Sequence, residues 1–125
     1  MGLDMYAFTA KPDSIANPVA IKLDDLAEVT QIYAWRKHPN LHGWMCDLYL
    51  EKGGEDKMFN CVPVQLTSED IDRLEADIRA GNLPETFGPF FGQTDGTEQQ
   101  GDLDFVARAR AAMADGLAVI YDSWW

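Results

Sequence analysis

One proline sets the tightest local constraint on how this 125-residue chain folds. In Trp35-Arg36-Lys37-His38-Pro39-Asn40-Leu41-His42-Gly43-Trp44, Pro39 removes a backbone donor and pushes His38 away from helical dihedrals. Residues 28–36, just before it, are rich in β-branched and aromatic side chains and read as a strand. Beyond it Leu41, Trp44, Met45, Leu48 and Tyr49 recur at helical spacing, which predicts a helix over 41–52. Asn40 is the expected N-cap and Gly53-Gly54 the stop. The segment is therefore a strand-to-helix joint. It is also an unusual one, since it carries both histidines, two of the four tryptophans and the only adjacent pair of cations.

The remaining elements follow from the same signals. Residues 2–9 alternate as a strand, and residues 10–27, with Pro12 and Pro18, read as a surface loop. Residues 58–66 read as another strand, which Pro63 consigns to an edge or a bulge. The clearest helix spans 68–80. Thr67 and Asp70 form a capping box, Ile71, Leu74 and Ile78 make the buried stripe, Glu75 and Arg79 pair at i,i+4, and Gly81 ends it. Residues 82–101 are expected to be a long loop, with Asp102 capping a helix that carries Phe105, Val106, Ala109 and Met113 up to Gly116. Residues 117–125 close as a strand. The order β-β-α-β-α-α-β lacks the alternation of a doubly wound sheet. It predicts one α+β domain, with helices packed on a small, mainly antiparallel sheet.

Charge narrows the function classes. The net charge is −11, with 6 cations against 9 anions before residue 66 and 4 against 12 after it. Such a field opposes direct binding to nucleic acid or anionic membrane and favours cationic partners. No run approaches the ~18 apolar residues of a membrane span, and the first residues lack a secretory layout, so a cytoplasmic protein is expected. In that compartment Cys46 and Cys61 are expected as buried free thiols.

The candidate site residues cluster in three places. Trp35, Arg36, Lys37, His38, Asn40 and His42 form the joint. Arg36 and Lys37 there suit an anionic small molecule beside the free amides of a helix N-terminus. His38 and His42 are four apart, but Pro39 spoils a shared helical face, and a metal would need a distant third ligand such as Asp4, Cys46, Asp47 or Asp122. No metal or cofactor is expected. Phe87, Phe90 and Phe91 form a glycine-flanked aromatic knot that suits either a core plug or an anchor for another protein. Trp124 and Trp125 imply a chain segment that docks, and they would join Trp35 and Trp44 if the last strand pairs beside residues 28–36. There is no P-loop, no Gly-x-Ser-x-Gly elbow, no His-Glu-x-x-His and no calcium loop.

Met1-Gly2-Leu3-Asp4-Met5-Tyr6, the 35–44 joint, Phe59-Asn60-Cys61-Val62-Pro63-Val64 and Ser123-Trp124-Trp125 together resemble a family of short bacterial proteins of uncharacterised activity. Members also occur in phage and mobile-element genomes. The resemblance spans nearly the whole chain and supplies no site residues. Some members are labelled phosphoglycerate kinase, an enzyme several times longer whose phosphate-cradling glycine loop has no counterpart here. Three functions are weighed on these grounds. The first is a small acidic protein that binds a protein partner. The second is a small enzyme or ligand-binding domain that uses Arg36, His38 and His42 on an anionic molecule. The third is an acidic nucleic-acid mimic, which requires the carboxylates of helices 68–80 and 102–115 to lie along one face.

Overall fold

Two strands far apart in sequence form the middle of the sheet. The computed structural model describes residues 2–125. Its elements are β1 (Asp4–Ala10), β2 (Thr30–Arg36), α1 (Pro39–Glu51), β3 (Val64–Leu66), α2 (Ser68–Ala80), α3 (Gln99–Ala114) and β4 (Ala118–Trp124). The four strands lie in the order β2-β1-β4-β3, with every pairing antiparallel. The fold is therefore α+β, in the element order expected from the periodicities.

The pleat assigns the two faces. Leu3, Met5 and Ala7 point into the helical layer and are fully buried, whereas Asp4, Tyr6 and Phe8 point the other way and are half-buried. The core between sheet and helices joins Met5, Ala7, Val119 and Tyr121 to Leu41, Met45 and Leu48 of α1, Ile71 and Leu74 of α2, and Phe105 and Val106 of α3. α2 has the ends its sequence announces. Thr67 accepts from the Asp70 amide while the Asp70 carboxylate accepts from the Thr67 amide, and Gly81 takes the left-handed conformation at φ 69°. The 10–27 loop does more than cross the surface. Ile15, Leu23 and Leu26 pack with Ala10, Ile21 and Ile120 into a second small cluster on the opposite face of the sheet. The Gln65 amide donates to the Pro18 carbonyl, so this loop also covers the β3 edge.

Four local expectations are corrected. α1 starts at Pro39, with His38 as N-cap, because proline at the first helical position gives up only an amide that the helix would leave unpaired. Asn40 lies in the first turn, and its side-chain oxygen accepts from the Thr86 amide instead of capping α1. The strand expected over 58–66 shrinks to β3. Phe59 and Cys61 adopt positive φ (46° and 58°), Pro63 has no amide to give, and the Asn60 side chain pairs with the Trp125 backbone in place of a ladder. α3 begins at Gln99 after Glu98, so Asp102 lies within the helix, buried, and caps nothing. Both cysteines are free, but Cys46 is only half-buried and Cys61 is exposed.

Candidate functional site

The strand-to-helix joint delivers its side chains in three directions, and the two histidines diverge. His38 ends the connection from β2, where Pro39 fixes it as N-cap and turns its ring toward α3. There its Nε2 lies 2.8 Å from Asp102 Oδ2, and Trp35 Nε1 donates to Asp102 Oδ1 at 3.0 Å. A carboxylate only accepts, so Nε2 carries a proton, and in the neutral imidazole Nδ1 is the acceptor. That nitrogen meets Thr94 Oγ1 at 2.9 Å, and the same oxygen accepts from the Asn40 amide at 3.1 Å. Asp102, His38, Thr94 and the first turn of α1 therefore form one hydrogen-bonded chain. His38 and Asp102 are buried, while Thr94 reaches the wall of a cleft of about 420 Å³ that also includes Asn40, Ile78, Arg79, Leu83 and Gln99.

His42, one helical turn on, faces β4. Its Nδ1 lies 2.6 Å from the Tyr121 hydroxyl, and its ring meets Phe59 and Phe91 with centroids 5.1 and 5.4 Å away. Burial lowers the imidazole pKa from 6.5 to about 4, and burial also holds the Tyr121 phenol well above its ordinary value. A neutral imidazole and a protonated phenol thus share this bond. His42 also lines a separate cleft of about 360 Å³ with Cys46, Asp47, Phe87 and Trp125. Asp4 pairs with Arg36, and no group of three or more histidine, cysteine, aspartate or glutamate side chains converges among the described residues. The arrangement in which Arg36, His38 and His42 orient one substrate is absent, because the two buried rings lie beside different clefts. The first-turn amide of Asn40, which sequence reasoning offered to an anion, is taken by Thr94.

The aromatic knot divides. Phe91 is buried and packs edge-on against Trp125 at 5.0 Å, whereas Phe87 and Phe90 are 79% and 65% exposed. The tryptophans divide too. Trp35 packs on Phe105 and Tyr33, Trp44 donates to Asp77 Oδ2 at 2.8 Å, and Trp125 docks through its Nε1 on the Phe59 carbonyl. Trp124 is 67% exposed. Phe90, Trp124, Trp125 and Pro89 line a surface groove of about 560 Å³ with Gly2 and Asp4. A side chain added at Gly2 would come within 3.0 Å of Lys37 Cε and 3.1 Å of Arg36 Nη2, which places both cations at the edge of this groove.

The acidic helices do not present a bare row of carboxylates. Asp72 and Glu75 each lie 2.8 Å from Arg110, Glu75 also pairs with Arg79, Glu51 with Arg73, and Asp70 with Lys52. Hydrogen bonds from Arg110 and Arg79 hold the Glu75 carboxyl below its ordinary range. On α3, Asp102 is turned inward.

Sequence reasoning missed Thr94 and Asp102 as partners of His38. Nothing local marks either residue, since they lie 56 and 64 positions from it. Comparison of the chain with protein-family models, with curated proteins and with solved structures returns no match.

Proposed function

We propose that this chain is a small protein-interaction module whose docking surface is the groove between Phe90 and Trp124. The observation that carries the reading is the exposure of two large aromatic side chains around a concavity. They are 65% and 67% exposed, yet neighbouring Phe91 and Trp125 are packed and hold the groove in place. Rigid aromatics around a concave surface are the usual source of binding energy at protein interfaces. The occupant is an aliphatic or aromatic anchor presented by another protein. The net charge of −11 steers a partner that is cationic overall, and Arg36 and Lys37 offer donors to backbone carbonyls or a carboxylate beside the anchor.

The test is recovery of the untagged protein from its source, followed by native mass spectrometry of the complex. Wild type is expected to carry a second polypeptide that Phe90→Ala/Trp124→Ala loses. Arg36→Ala should weaken it with folding intact. Both aromatics are exposed, so the double variant should keep its unfolding midpoint, which separates lost binding from lost structure. Equal recovery of the same polypeptide by wild type and double variant would rule out this surface.

A further inference from the structure

We propose that Thr94 is a nucleophile, activated by His38, at a catalytic site that cleaves small carboxylic esters. This site lies in a different cleft from the aromatic groove and is independent of it. Three observations converge on the Thr94 hydroxyl. Its oxygen lies 2.9 Å from His38 Nδ1, the ring nitrogen that the Asp102 bond at Nε2 leaves free to accept a proton. The Asn40 amide, in the first turn of α1, donates to the same oxygen at 3.1 Å, which holds that oxygen in place and leaves its own hydrogen for His38. The hydroxyl also lies in the wall of a cleft of about 420 Å³, whereas the base behind it is shielded, with His38 only 1% exposed. A purely structural tie between the 82–98 loop and α1 requires the threonine but not a histidine buried behind it. Asp102 is a positioning residue. Held by the Trp35 indole and His38, it fixes the ring and the tautomer.

The reaction balances without a cofactor. Thr94 Oγ1 attacks the ester carbonyl and its proton passes to His38 Nδ1. The Oγ1–carbon bond forms, the bond from carbon to the leaving oxygen breaks, and the leaving alkoxide takes the proton from His38. Water then attacks the threonyl ester, again giving its proton to His38, which returns it to Thr94 Oγ1 as the acid departs. Ester and water become acid and alcohol. The cleft is of a size that suits small molecules, and Ile78 and Leu83 give it an apolar wall for a short acyl chain.

Two probes test this, p-nitrophenyl acetate and an alkyl fluorophosphonate. The fluorophosphonate forms an Oγ–phosphorus bond as fluoride leaves. Wild type is expected to carry the phosphonyl group on Thr94 by peptide mass spectrometry. It should also release nitrophenolate about a hundredfold faster than Thr94→Val, the low end of what a positioned base contributes. Thr94→Ser should retain both signals. Asp102→Asn should lower kcat with KM unchanged, which a merely structural defect would not do selectively. Substituting the buried His38 or Asp102 risks misfolding, so the folded Thr94→Val protein decides the outcome. Nitrophenolate release at the wild-type rate by Thr94→Val, or phosphonylation only at other residues, overturns the proposal.

Discussion

Lowering the pH should unload a measurable part of the stability through one side chain, His42. Its imidazole is 3% exposed, packed against Phe59 and Phe91 and bonded to Tyr121, and burial lowers its pKa from 6.5 to about 4. The folded state therefore resists a proton that the unfolded chain accepts readily. Between those two pKa values the unfolded state binds more protons, so stability rises with pH across that window. The contribution is complete above the unfolded value of 6.5, drains away as the pH falls, and changes no further below about 4. A tenfold weaker hold on the proton corresponds to about 1.4 kcal/mol, which makes the whole effect about 3 kcal/mol. Relative to neutral pH, the loss is about 1 kcal/mol near pH 5.5 and about 2 kcal/mol near pH 4.5. Against a typical domain stability of about 5–15 kcal/mol this is a large fraction. Urea unfolding of wild type and His42→Asn at several pH values isolates it. Asparagine keeps a polar partner for Tyr121 but cannot titrate, so the difference between the two proteins should fall by these amounts. A difference that stays flat from pH 7 to pH 4.5 would refute the reasoning. So would an imidazole NMR titration placing the His42 midpoint near 6.5.

Two other substitutions probe how the joint is held. A Cβ at Gly43 would lie 1.8 Å from Thr86 Oγ1, so Gly43→Ala should destabilise by about 1–3 kcal/mol even though alanine favours the helix. Thr86→Gly should recover most of that loss in a double-mutant cycle, and additive losses would place the conflict elsewhere. Trp35→Phe removes a donor to the buried Asp102 carboxylate and should cost about 1–3 kcal/mol, read as a lower urea midpoint. Trp124→Phe, at an exposed position, should stay within about 0.5 kcal/mol of wild type.

What was legible in the sequence is what the chain decides locally. Thr67, Asp70 and Gly81 bracket α2 because each acts on a backbone group only a few residues away. The strand-to-helix change at Pro39 is local for the same reason. Asp102 misled because its residue type suits a cap, while its role is set by Trp35 and His38, which are distant in sequence and adjacent only in the fold. The aromatic knot offered a plug or an anchor, and its side chains divide, Phe91 inward and Phe87 and Phe90 outward. Only the path of the backbone between them could assign which. Residues 58–63 failed as a strand because the Asn60 side chain pairs with a backbone 65 positions away, a bond invisible to any pattern of period two. The 10–27 loop did carry a signal. Ile15, Ile21, Leu23 and Leu26 are apolar residues that a loop left in water would not need.

The sheet order has a kinetic consequence. β1 and β4 are its two central strands, paired over their full length from Asp4↔Trp124 to Ala10↔Ala118. Closing that pair joins segments roughly a hundred residues apart, the kind of non-local contact that slows folding. A ribosome making this chain must release β4 before β1 can gain its second neighbour. Until then β1 can pair only with β2, and the apolar face that α1 and α2 will share has no β4 to pack on. Most of the native core should thus form late and nearly at once. A circular permutant joining residue 124 to residue 4 by a short turn would make the same pair a hairpin. It should reach the same architecture by a faster route.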